Sequence, residues 1–195
     1  MIEIKPLTHL LPQDIRRLNY GYTSSEVYKV SKKESPATTT IHLERVVLAQ
    51  PYIKKWVTDD EELKLLQEAV ATGFSLGAYA SLKDSVLKEM IGIAIAEPRH
   101  WNSSLWVWEF HVSPVYQRQG IGSHMMQSLI QKAERAGLRI LVCETQNTNA
   151  PAIAFYRTMG FEIDGIDLSY YTNQDLVSGE VAFFMKYKIG RVKHG

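Results

Sequence analysis

A chain of 195 residues can bury one substantial core and is too short for a second full domain. Hydrophobic residues make up 45% and charged residues 22%, which excludes extended disorder. Lysine plus arginine (22) nearly balances aspartate plus glutamate (21), which excludes a global field that would recruit nucleic acid or an anionic membrane surface.

From the N-terminus, IEIKPL alternates and suits a first strand, and LPQDIRRLNYGYTS suits a short helix stopped by a glycine and polar cluster. Between Glu26 and Trp56 the chain turns β-rich. Ile41, Leu43 and Val46 predict a hairpin against the strand Val27 to Val30, with a Ser/Lys/Thr loop around Pro36 between them. Thr58 followed by Glu61 has the form of a capping box, and Leu63, Leu66 and Val70 continue a helix over about 59–72. Three runs of period two follow: FSLGAYAS, EMIGIAIAE and LWVWEFHV. In the last, Trp106, Trp108, Phe110 and Val112 share one face, with Phe110 and Val112 toward the core, and Glu109 and His111 share the other. Together they predict an antiparallel meander.

Ile121, Met125, Leu129, Ile130 and Ala133 then lie along one helical face, and Gly137 ends that helix before the strand LRILVCE. NAPAIAFYRTMG is a further helix, with Pro151 in its first turn and Gly160 past its end, and FEIDGID and EVAFFMKYKI are the last strands. The single cysteine, Cys143, lies in an apolar strand; it excludes a disulfide framework and reads as packing. The six histidines show no ligand spacing, so no metal is expected. No apolar stretch approaches membrane-spanning length, and the start MIEIKPLTHL lacks the pattern of a cleaved leader, so the expected location is the cytoplasm and no membrane partner is expected.

The chemistry concentrates at VYQRQGIGSHMM. A glycine turn between strand and helix exposes backbone N–H groups at the positive end of the helix dipole, which suits a phosphate or pyrophosphate, and side chains at Gly120 or Gly122 would obstruct it. The dinucleotide pattern fails at Met125, and the phosphate-loop Gly-Lys-Ser/Thr is absent.

Gln117-Arg118-Gln119-Gly120-Ile121-Gly122 instead resembles the Q/R-x-x-G-x-G/A signature of the GNAT superfamily of acyl-CoA-dependent N-acetyltransferases. The resemblance extends through Asn149, Ala152, Phe155-Tyr156 and Gly160-Phe161 and covers roughly 74–189. It implies an α/β (α+β) fold: a mixed, mostly antiparallel central sheet flanked by helices, with strands four and five splayed. A single acetyltransferase domain over 1–195 is expected, with 1–73 forming the substrate-side helices and hairpin and 74–189 the acyl-CoA core.

By that resemblance the co-substrate is acetyl-CoA. Its pyrophosphate would be cradled by amides from Arg118 to Ser123, with Gln117, Arg118, Gln119, Gly120, Ile121, Gly122 and Ser123 as cofactor residues. His111 and Val112 would offer main-chain hydrogen bonds to the pantetheine, the Val112 amide would polarise the thioester carbonyl, and Asn149 would contact the arm. Tyr156 matches the family tyrosine that protonates the departing sulfur. Glu109 is the first choice for the base that neutralises the amine, with His111 second.

ETQNTNAPAIAFYRTMGFEIDGIDLSYYTN also resembles streptothricin acetyltransferases, which implies a primary amine on a small molecule as acceptor. Glu109, Asp164, Asp167 and Glu180 would then attract its charge, and Tyr170 and Tyr171 would line its site. Two alternatives stay open: a protein or peptide acceptor, and a non-catalytic acyl-CoA sensor. The resemblance allows a homodimer, although no self-complementary patch is legible.

Overall fold

The computed structural model describes residues 2–19, 21–81 and 88–190. In chain order its elements begin with β1 (Ile2–Pro6), α1 (Pro12–Leu18), β2 (Tyr22–Ser35), β3 (Thr38–Lys54) and α2 (Asp60–Ala71). The meander follows as β4 (Leu76–Ser81), β5 (Lys88–Arg99) and β6 (Ser104–Val112), then α3 (Ile121–Arg135) and β7 (Ile140–Gln146). Last come α4 (Ala150–Thr158), β8 (Glu162–Asp167), α5 (Asp175–Ser178) and β9 (Ala182–Lys188). The expected class is observed: mixed α/β with a mostly antiparallel central sheet. Residues 82–87, inside the expected acyl-CoA core, lie outside the described residues. Among the described residues no helix is long and apolar enough to cross a membrane.

The chain forms two compact units, residues 1–20, 56–143 and 187–195 in one and 21–55 and 144–186 in the other. In the first, β1, β4, β5 and β6 pair antiparallel in that order, and β7 adds parallel to β6 from Ser104↔Ile140 to Val107↔Cys143. One face of this sheet packs on α1 and α2, where Ile93 and Ile95 are buried with Ile15, Leu63 and Leu66. α3 buries Ile121, Met125, Leu129 and Ala133, four of the five positions predicted for its core face, together with Met126; Ile130 stays partly exposed. Gly92 permits the close approach of this helix, since a Cβ there would meet the Met125 sulfur at 3.1 Å and the His111 carbonyl oxygen at 3.2 Å.

Two local expectations fail for identifiable reasons. Asp59, not Thr58, is the N-cap of α2: its Oδ1 accepts from the Glu62 N–H at 2.8 Å, while Thr58 is 3% exposed. A charged carboxylate at the helix start is both the stronger acceptor and the better partner for the dipole. In β6 the regular alternation breaks. Ile95 pairs with Glu109 and Ala96 with Val107, so Trp108 is the extra residue of a bulge. Leu105 and Val107 are therefore the deeply buried residues, at 0% and 3% exposure, whereas Trp108 is 43% exposed and Phe110 and Val112 are only half-buried.

In the second unit β2 and β3 form the predicted hairpin, with Val27↔Val46, Val30↔Leu43 and Lys32↔Ile41 opposed, but pairing continues to Ser35↔Thr38. The segment read as a Ser/Lys/Thr loop is strand with both faces exposed, so it carries no apolar alternation to read. β8 and β9 pair antiparallel, from Glu162↔Lys186 to Asp167↔Ala182.

Candidate active site

The first unit presents the glycine loop. After β6 the chain turns through a single 3₁₀ turn at Pro114–Tyr116 and reaches α3 through Arg118 (φ 61°) and Gly120 (φ 82°), both left-handed. Gln117 Nε2 donates to the Val112 carbonyl at 2.9 Å and Gln119 Nε2 to the Val115 carbonyl at 3.0 Å, so both predicted cofactor glutamines have a task inside the loop. Gly120 is the N-cap of α3 and supplies no side-chain acceptor. α2 and α4, by contrast, are capped by Asp59 and Asn149. The first amides of α3, at Ile121, Gly122 and Ser123, thus lack a capping side chain and sit at the positive end of a 15-residue helix. That arrangement suits an anion held on main-chain donors, with Arg118 as a cationic neighbour.

Glu109 and His111 meet in the same unit. The bulge at Trp108 resets the strand so that Glu109 lies opposite Ile95 and His111 opposite Ile93. Glu109 Oε2 contacts His111 Nε2, and the side chains are only 15% and 17% exposed. Glu62, from the first turn of α2, adds a second carboxylate. Its own carboxyl is pushed up, first by burial and then by the negative charges of Glu109 and Asp59. Nothing in the local sequence around Glu62 marks it; its place follows only from α2 packing on the Ile93/Ile95 face.

The second unit carries the other predicted residues. Asn149 Oδ1 accepts from the Ala152 N–H at 3.2 Å and caps α4. On that helix Tyr156 is 7% exposed, with Phe155 and Phe161 ring centroids each 5.6 Å from its own. The acids read as a lure for substrate have protein partners. Glu180 accepts from Lys54 Nζ at 2.7 and 2.8 Å and from the Tyr52 hydroxyl at 3.2 Å; Asp164 faces Lys186 at 3.6 Å; Asp167 accepts from the Ser169 N–H at 3.0 Å. Tyr171 donates its hydroxyl to Glu144, and Tyr22 shares a 2.6 Å hydrogen bond with Thr148. Burial above all pushes both phenols far above their ordinary range, so both hydroxyls stay protonated.

Asp175, 1% exposed, organises the 171–179 turn by accepting from the N–H groups of Tyr171 (2.8 Å) and Thr172 (2.7 Å) and from the Thr172 hydroxyl (2.7 Å). Burial raises its pKa, but these donors outweigh burial and hold the carboxyl below the usual range. The stabilisation is therefore complete above the unfolded value and is lost as pH falls through the lower folded value, a window beginning at about pH 4. Asp175→Asn is expected to lower Tm at pH 7 and to match the parent at the acid end; Tm curves across pH 2–7 check this, and a constant difference would exclude the carboxylate as the cause.

Main-chain amides without a capping side chain at the start of α3, a carboxylate–imidazole pair on the preceding strand and a mixed, mostly antiparallel sheet together define an α/β protein suited to hold an anion on backbone donors. The model of the acetyltransferase (GNAT) family matches residues 46–161, more than half of the sequence, and the chain belongs to that family. Streptothricin acetyltransferase of Streptomyces lavendulae is 34% identical over 97 residues, a stretch that is 50% of this chain and 51% of that enzyme, so the chain spans about half the length of that relative. The [ribosomal protein bS18]-alanine N-acetyltransferase of Escherichia coli K12 is 29% identical over 134 residues, 69% of this chain and 80% of the relative. Among solved structures, nourseothricin acetyltransferase superposes with a TM-score of 0.69 at 26% identity, covering 96% of this chain and 98% of that one. A Bacillus anthracis protein crystallised with acetyl coenzyme A shares the fold, with a TM-score of 0.68 at 20% identity over 96% and 99% of the two chains.

Proposed function

We propose that the protein transfers an acetyl group from acetyl-CoA to a primary amine on a small, cationic molecule. The observation that carries this reading is the uncapped start of α3 behind two left-handed residues, Arg118 and Gly120: the amides of Ile121, Gly122 and Ser123 are donors without a protein acceptor side chain, which a diphosphate satisfies. The small-molecule acceptor is supported by the likeness to nourseothricin acetyltransferase, which covers nearly the whole of both chains.

In this reading the Val112 amide polarises the thioester carbonyl, the Glu109–His111 pair neutralises the incoming ammonium, and Asn149 steadies the pantetheine arm. Tyr156 protonates the departing sulfur. Tyr156→Phe keeps the ring packing and deletes the donor, so kcat is expected to fall about 10²-fold with KM for acetyl-CoA nearly unchanged. An unchanged kcat would remove Tyr156 from the chemistry.

The acceptor class is tested by thiol release from acetyl-CoA in the presence of nourseothricin, polyamines, aminoglycosides, amino acids and peptides with a free N-terminal alanine. A cationic small molecule is expected to give the highest kcat/KM. Turnover confined to peptides would favour the second reading, a protein α-amine acceptor, which the bS18-alanine N-acetyltransferase relative supports.

A further inference from the structure

We propose that His111 is the residue that takes the acceptor's proton, at Nδ1, and that Glu109 is the positioning carboxylate that fixes its tautomer. The assignment rests on the acetyl-transfer reading and deepens it, by dividing roles between two residues that strand alternation alone leaves equivalent.

Three observations lead to it. First, the bulge at Trp108 places both side chains on the Ile93/Ile95 face of the sheet, since residues directly opposed across antiparallel strands project to the same side. Second, the ring atom that meets Glu109 is Nε2. In this assignment Nε2 donates to the Glu109 oxygen, and an imidazole that carries its proton on Nε2 keeps a lone pair on Nδ1. Third, that contact engages one Glu109 oxygen in holding the ring, in surroundings that expose only 15% of the side chain.

The chemistry favours the same division. An ordinary imidazole has a pKa of ~6.5 and an ordinary glutamate ~4.3, while a primary ammonium lies near ~10, so imidazole is the better matched acceptor by about two units. The charged groups near this pair are carboxylates. Glu109 touches the ring, and Glu62 on α2 interacts electrostatically with Glu109 and Asp59; the positions opposed from β5 are the apolar Ile93 and Ile95. On α1, Arg17 is paired with Glu89 at 2.7 Å.

The step balances without further reagents. One N–H proton of the ammonium passes to Nδ1, the amine nitrogen bonds to the carbonyl carbon, and the carbon–sulfur bond breaks. A second N–H proton passes to the departing sulfur, and the proton on Nδ1 leaves to water.

Two measurements test the proposal. Long-range ¹H–¹⁵N NMR on the resting protein, with His111 assigned through His111→Gln, is expected to show the Nε2-protonated neutral tautomer; the Nδ1-protonated form would overturn it. For turnover the probe is acetyl-CoA with nourseothricin. kcat/KM is expected to fall at acid pH with a single ionisation. His111→Ala should lose about 10²-fold and recover partly with added imidazole, and Glu109→Gln should lower kcat while leaving acetyl-CoA KM unchanged. A His111→Ala enzyme that keeps the acidic limb and ignores imidazole overturns this assignment alone. A wild-type protein that releases no thiol with any amine overturns the acetyl-transfer reading itself.

Discussion

Asn147→Ala is expected to destabilise the protein by about 3–5 kcal/mol, because it strands two buried main-chain groups, at Tyr28 and Val181, and a part-buried one at Gly179. Asn147 is 2% exposed. Its Nδ2 donates to the Tyr28 carbonyl at 2.6 Å and to the Gly179 carbonyl at 3.1 Å, and its Oδ1 accepts from the Val181 N–H at 2.7 Å. Its own main chain joins the same pair of segments, with Tyr28 N–H donating to the Asn147 carbonyl and Asn147 N–H to the Val181 carbonyl, both at 2.9 Å. One residue therefore ties the base of the β2–β3 hairpin to the entry of β9. A buried polar group left without a partner costs about 1–3 kcal/mol, and the full sum is not reached because water and relaxation recover part of it. Asn147→Asp separates this cause from packing, since it keeps the shape and the acceptor but turns both donations into oxygen–oxygen contacts. For a chain of this size both variants should lower Tm by roughly 10 °C. A thermal melt within about two degrees of the parent for both would show that the hairpin is held by other contacts.

Asn147 also shows where sequence reasoning stops. The hairpin, the meander and the two long helices were legible because each has a buried face with its own period: Ile93 and Ile95 at spacing two, and Ile121, Met125 and Leu129 at helical spacing. The glycine loop was legible because the required left-handed backbone restricts residue choice at Gly120. Asn147, Glu62 and the Glu144–Tyr171 pair act through partners distant in the chain, on residue types that are unremarkable where they stand. The bulge at Trp108 left no mark either, since LWVWEFHV alternates without a break. Its consequence was nonetheless chemical: it buries Leu105 and Val107 in place of Trp106 and Trp108, and carries Glu109 and His111 together onto the face that α2 covers. The acids around 164–180 were visible in sequence, but their cations, Lys54 and Lys186, were not assignable to them without the fold.

Gly120→Val is expected to weaken coenzyme A binding by about 10²-fold while lowering stability by only about 1–2 kcal/mol. The two effects are separable because of what surrounds the residue. A Cβ at Gly120 meets nothing within 4 Å, so the folded protein resists a side chain there only through the strain of an L-residue at φ 82°. The space is open, and Gly120 directly precedes the α3 amides, so a side chain there is expected to crowd a ligand held on them. Any loss of affinity beyond the strain therefore reports a ligand excluded from that space, or amides turned away from it. Comparing two ligands isolates the diphosphate: S-acetylpantetheine lacks it, so its binding should hardly differ between parent and Gly120→Val, whereas acetyl-CoA should lose nearly all its advantage over the shorter thioester. Calorimetry with both ligands measures this directly. Equal losses for the two would mean that the substitution disturbs the strand end at Val112 instead of the anion site, and unchanged acetyl-CoA binding would move the diphosphate away from α3.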